Sequence, residues 1–99
     1  MAVVEALVET DRAARYVEQL SRHFGHMPGG MRLLAETPEE LVIDLGGATW
    51  RIRAEDGGLA LRVEADAERL DEVSAHVAER IEQIGRRDGL AVRWQPATD

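Results

Sequence analysis

The chain has 99 residues, a formal net charge of -7 and no cysteine. A net negative surface opposes phosphate neutralisation and so disfavours nucleic acid and anionic lipid as partners. The missing thiols exclude disulfides, thiolate nucleophiles and zinc fingers. With 44% hydrophobic and 31% charged residues the composition is globular, and residues 1–99 read as one domain that buries a core without staples. No apolar run reaches the roughly 20 residues that span a bilayer. Met1 leads directly into alternating sequence with no basic or apolar leader pattern, so a cytoplasmic location is expected.

From the N-terminus, Ala2, Val4, Ala6 and Val8 alternate with Glu5 and Glu9, which predicts a half-buried strand. Thr10 is placed as the N-cap of a first helix. In that helix Ala13, Tyr16, Val17, Leu20, Phe24 and Met27 form one apolar stripe, and Met27-Pro28-Gly29-Gly30 ends it. Residues 31 to 65 then read as four strands, the first of them weak. Thr37-Pro38-Glu39, Gly46-Gly47 and Asp56-Gly57-Gly58 divide them as hairpin turns. Asp66 is placed as the N-cap of a second helix carrying Leu70, Val73, Val77, Ile81 and Ile84, with Gly85 at its C′ position. Leu90, Val92 and Trp94 alternate as a last strand. The order β-α-β-β-β-β-α-β predicts an α+β fold. Its form is a two-layer α/β sandwich, a mixed sheet of about six strands with two helices on one face.

Two constellations carry candidate chemistry. At 100° per residue Arg12, Arg15, Gln19, His23 and His26 share one edge of the first helix. There the Arg side chains suit a carboxylate or phosphate, and the two imidazoles, at i and i+3, suit a metal that finds its third ligand elsewhere. The same residues also describe a solvated helix border with imidazoles near the C-terminal dipole. On the face of the sheet away from the helices, alternation places Arg51, Arg53, Arg62 and Arg93. That row reads as cross-strand salt bridging, a homodimer contact or a shallow anion platform. Ser21 and Ser74 lie on helices without a nucleophile elbow, and the glycine-rich spots are turns, not phosphate loops. His76 reads as a surface residue between Arg69 and Arg80, and Trp50 and Trp94 as core. No catalytic residue is assigned and no cofactor is named by the residues.

The run Thr10-Asp11-Arg12-Ala13-Ala14-Arg15-Tyr16, continued by Gln19-Leu20, Arg22-His23-Phe24 and His26, resembles a bacterial family common in actinobacteria, domain of unknown function 2218. Ala54-Glu55-Asp56-Gly57, the alternation of Leu59 to Ala65, and Arg87-Asp88 with Leu90, Val92 and Trp94 also resemble its pattern, while Met27-Pro28-Gly29-Gly30 departs from it. The resemblance implies an uncharacterised module associated with siderophore-interacting flavoproteins of iron uptake. Three functions follow as expectations. The first is a non-enzymatic module presenting the helix edge to an anionic ligand, a metal or a partner such as a siderophore-interacting protein. The second is a homodimerising structural or regulatory domain that uses its open sheet face. The third is a small enzyme with His23 or His26 as general base.

Overall fold

The computed structural model describes residues 2–24 and 32–96; within these spans the side chains of His23, Phe24 and Arg32 are outside the description. Met27 and the Pro28-Gly29-Gly30 stop therefore lie outside the described residues. The elements are β1 (Ala2–Glu9), α1 (Ala13–Phe24), β2 (Arg32–Glu36), β3 (Glu40–Asp44), β4 (Thr49–Glu55), β5 (Gly58–Ala65), α2 (Ala67–Ile84), a 3₁₀ turn (Arg86–Asp88) and β6 (Gln95–Pro96).

The six strands form one sheet in the order β2-β3-β4-β5-β1-β6, and every described pair is antiparallel. This corrects the expected mixed sheet. Both strand-helix-strand crossovers connect strands that run the same way, but each skips intervening strands. The second is a split unit, with β1 inserted between β5 and β6. No two neighbours in the sheet are therefore parallel.

Alternation gives the sheet two chemically distinct faces. In register, Leu41, Ile52, Leu61 and Ala6 form one apolar row, and Ile43, Trp50, Val63 and Val4 another. Against this face α1 packs over β2 to β4 and α2 over β5 and β1. They bury Ala13, Tyr16, Val17 and Leu20 from α1, and Val73, Val77 and Ile81 from α2, in the same core. Among the described residues no helix covers the other face.

Local chemistry sets the boundaries. The Thr10 hydroxyl accepts from the Arg12 N–H at 3.1 Å in the turn ahead of α1, while the first intrahelical bond runs from the Tyr16 N–H to the Arg12 carbonyl, so Arg12 rather than the expected Thr10 stands at the N-cap position. Asp66 starts α2 through its backbone carbonyl, which receives the N–H groups of Arg69 and Leu70; its side chain makes no capping bond. The β3–β4 turn places Gly46 and Gly47 at φ of 79° and 87°, the doubly positive geometry of a tight hairpin that only glycine adopts without strain. In β2 a bulge between Leu33 and Ala35 shifts the pairing, which puts Glu36 beside α1, where it accepts the Ser21 hydroxyl.

Two further expectations are corrected. Gly85 has φ of -100°, so it does not close α2 as a left-handed cap; Gly89, at φ 67°, takes that conformation after the 3₁₀ turn. The alternating Leu90, Val92 and Trp94 do not pair as a strand, and among the described residues β6 comprises Gln95 and Pro96. Side-chain anchors hold that segment instead. The Trp94 indole N–H donates to the Ser74 carbonyl at 3.1 Å, and Glu82 accepts the Val92 N–H at 3.1 Å.

Candidate ligand-binding groove

The flank of α2 bearing Ser74 and Glu82 faces Trp94 and Val92. Helical rotation turns the opposite flank, which carries Arg69, His76, Arg80 and Gln83, toward the β3–β4 hairpin. A hollow of about 290 Å³ opens there, lined by Leu45, Trp50, His76, Val77, Glu79, Arg80 and Gln83. Its floor is apolar because Trp50 and Leu45 come from the helix side of the β3–β4 hairpin. Its rim is polar because His76, Arg80 and Gln83 recur at i, i+4 and i+7, just beyond the buried stripe of α2. The volume is near the lower limit for small-molecule sites.

Side-chain contacts tie down both ends of the α2 region. At one end the Tyr16 hydroxyl donates to Asp88 Oδ2, and the Arg12 guanidinium stands 3.8 Å from Asp88 Oδ1. At the other end Arg69 Nη1 donates to the Gly46 carbonyl at 3.0 Å, fastening the start of α2 to the β3–β4 turn. Burial, with the hydrogen bond to Asp88 and that carboxylate's charge, raises the Tyr16 phenol above its ordinary value of 10.0. The fold therefore favours the neutral phenol. That contribution is fully present below pH 10, and it falls away as the pH rises through the folded-state value, because the unfolded chain loses its proton first. Tyr16→Phe is expected to lower stability near neutrality by about 1 kcal/mol and to flatten the alkaline decline, read by urea unfolding at a series of pH values.

The helix edge read from sequence is distributed among different surroundings. Arg12 meets Asp88. Arg15 lines a separate hollow of about 600 Å³ with Ala14, Glu18, Ser21, Glu36 and Pro38 among others, and Gln19 is exposed. The side chain of His23 and all of His26 lie outside the described residues. Among the described residues no three His, Asp or Glu side chains are grouped to hold a metal. On the open sheet face, Arg62 bridges Glu5 at 2.9 Å and Glu64 at 3.1 Å. Arg51 and Arg53 are exposed on β4, and Arg93 is exposed ahead of β6. The Asp44 carboxylate accepts the Gly46 N–H at 2.9 Å. Trp50 is buried, as expected. The α2 contribution to the groove was legible as the i, i+4, i+7 spacing of His76, Arg80 and Gln83, but nothing local shows that this flank stands over Leu45 and Trp50 rather than in solvent.

A six-stranded antiparallel sheet covered on one face by two helices defines the class as a small α+β sandwich. The family model of an uncharacterised protein conserved in bacteria, DUF2218, matches residues 5–95, and the chain belongs to that family. It is similar in structure to PA4090 from Pseudomonas aeruginosa, solved by NMR, with a TM-score of 0.74 and 29% identity over 100% of both chains. No curated protein matches it. Among the described residues no helix is long and apolar enough to cross a membrane.

Proposed function

We propose that the protein is a non-enzymatic binding module that takes a small anionic aromatic ligand in the hollow between α2 and the β3–β4 hairpin. The observation that supports this reading is the hollow over Trp50, where an apolar floor meets Arg80, His76 and Gln83 as donors and Glu79 as an acceptor. A planar ring bearing a carboxylate or catecholate pairs its ring with the floor and its charge with the guanidinium. The family's association with siderophore-interacting flavoproteins, implied by the resemblance carried by α1, selects the ligand class: ferric siderophores and their aromatic building blocks. In this reading the ligand is presented to a siderophore-interacting partner.

The test is titration with 2,3-dihydroxybenzoate and with its ferric complex, read by calorimetry and by the shift in thermal unfolding that a ligand specific to the native state produces. The wild type is expected to bind and Arg80→Glu to bind at least about tenfold more weakly. Equal binding by wild type, Arg80→Glu and a His23→Ala/His26→Ala double variant would sink the proposal. A loss confined to the double variant moves the site to the α1 edge.

A further inference from the structure

We infer that residues 91–93 form a strap poised to close onto the free edge of β1, extending β6 along the sheet, with Glu82 as the catch that holds it open. The strap lies on the opposite side of α2 from the groove and needs no ligand.

The ladder between β1 and β5 fixes which backbone groups are free. The Thr10 N–H donates to the Gly57 carbonyl at 3.1 Å, and this pair continues the register of Glu9 with Gly58 and Val8 with Leu59. Bonded and non-bonded pairs alternate along an antiparallel ladder. Ala6 and Val8 therefore bond to β5, while Glu5, Leu7 and Glu9 turn their N–H and C=O groups to the outer edge. Gln95 pairs with Glu5 there. Among the described residues Leu7 and Glu9 have no backbone partner on that edge. Beside them lies a hollow of about 390 Å³, which they line together with Gly89, Leu90, Ala91 and Arg93.

The segment across that hollow already matches the edge. Continuing the register of Glu5 with Gln95 sets Arg93 opposite Leu7 and Ala91 opposite Glu9, and each of these pairs then exchanges both of its N–H···O bonds. No side chain has to change face. Leu90 lies in the core, Val92 and Trp94 pack against it, and in the closed register Val92 and Trp94 stand opposite Val8 and Ala6 on the apolar side. On the open face Arg93 comes beside Leu7, a large apolar side chain that is 57% exposed. The Arg93 stem then covers the leucine, and its head stands diagonal to Glu5 and Glu9. What keeps the strap off the edge is α2. Glu82 accepts the Val92 N–H at 3.1 Å, and the Ser74 carbonyl accepts the Trp94 indole N–H at 3.1 Å, so both contacts draw the segment toward the helix layer. The Glu82 contact holds the backbone of the strap itself. Closing removes the row of unpaired groups that makes a sheet edge a template for other chains.

Amide hydrogen exchange and proton–proton contacts, both read by NMR on the full chain, test the inference. In wild type the Leu7 and Glu9 amides are expected to exchange as an open edge does, while Ala6 and Val8 are protected by β5. Glu82→Ala is expected to slow exchange at Leu7 and Glu9 by at least about tenfold. It also brings the α-protons of Val8 and Val92 into contact, since they face each other in a narrow, non-bonded pair. Adding Arg93→Pro removes the N–H that would donate to Leu7, and Glu82→Ala/Arg93→Pro is expected to return both amides to their wild-type rates. Continued protection of Ala6 and Val8 shows that the sheet is intact in each variant. A Glu82→Ala protein with wild-type exchange at Leu7 and Glu9 and no Val8–Val92 contact overturns the inference. So does a slowing that Arg93→Pro leaves in place, or a wild type in which the Val8–Val92 contact is already formed.

Discussion

Replacing Ile52 with Ala is expected to remove about 2–5 kcal/mol of stability, a large share of the 5–15 kcal/mol that holds an ordinary domain together. Ile52 is fully buried at the centre of β4, paired in register with Leu41 on one side and Leu61 on the other and covered from above by α1. Truncation forfeits the transfer energy of the lost methyls and leaves a cavity, because neighbours fixed in a hydrogen-bonded ladder collapse into it poorly. Urea unfolding should show a lower midpoint at unchanged slope. Glu55→Ala, three residues along the same strand but exposed on the open face, is expected to stay within about 0.5 kcal/mol of wild type. A comparable loss at both positions would contradict the two-faced sheet.

Gly85→Ala carries the second large effect, and its sign reverses the usual rule. Glycine to alanine at an ordinary negative φ stabilises by about 0.4–1 kcal/mol through the unfolded chain. Here an added Cβ would lie 2.2 Å from Leu90 Cδ1, 2.3 Å from Cγ and 2.8 Å from Cβ. Leu90 cannot swing aside freely, since it is buried and its N–H donates to the Gly85 carbonyl at 3.2 Å. A net loss of about 1–3 kcal/mol is expected, as for other overpacked cores. The two sites touch, so Leu90→Ala should cost less in the Gly85→Ala background than in wild type, and a double-mutant cycle by urea unfolding measures that coupling. Additive losses would mean that Leu90 is not the obstacle.

Gly85 also shows where local reading stops. A glycine after the last apolar position of α2 invites the left-handed cap, yet its φ of -100° is open to any residue; the need for glycine comes from Leu90 folding back across the helix end. The alternation of Leu90, Val92 and Trp94 is equally deceptive. Their side chains pack against the core edge, but the Trp94 and Val92 hydrogen bonds run to α2, and among the described residues of this segment Gln95 and Pro96 are the ones that pair with β1. The groove has the same character: the spacing of His76, Arg80 and Gln83 is periodic in the sequence, while their neighbourhood with Trp50 and Leu45 exists only after α2 is laid beside the β3–β4 hairpin.

The two-helix α+β sandwich, its element order and the apolar face of each strand were determined by the sequence itself. Periods of 2 and 3.6 residues and the chemistry of glycine turns act over a few residues and need no distant partner. Which strands neighbour one another was decided in three dimensions. Inserting β1 between β5 and β6 made every described pairing antiparallel and brought Tyr16 of α1 to Asp88 beyond α2, 72 residues away along the chain. Laying α2 beside the β3–β4 hairpin created the groove, and with both helices on one side of the six strands, none among the described residues is left to cover the other face.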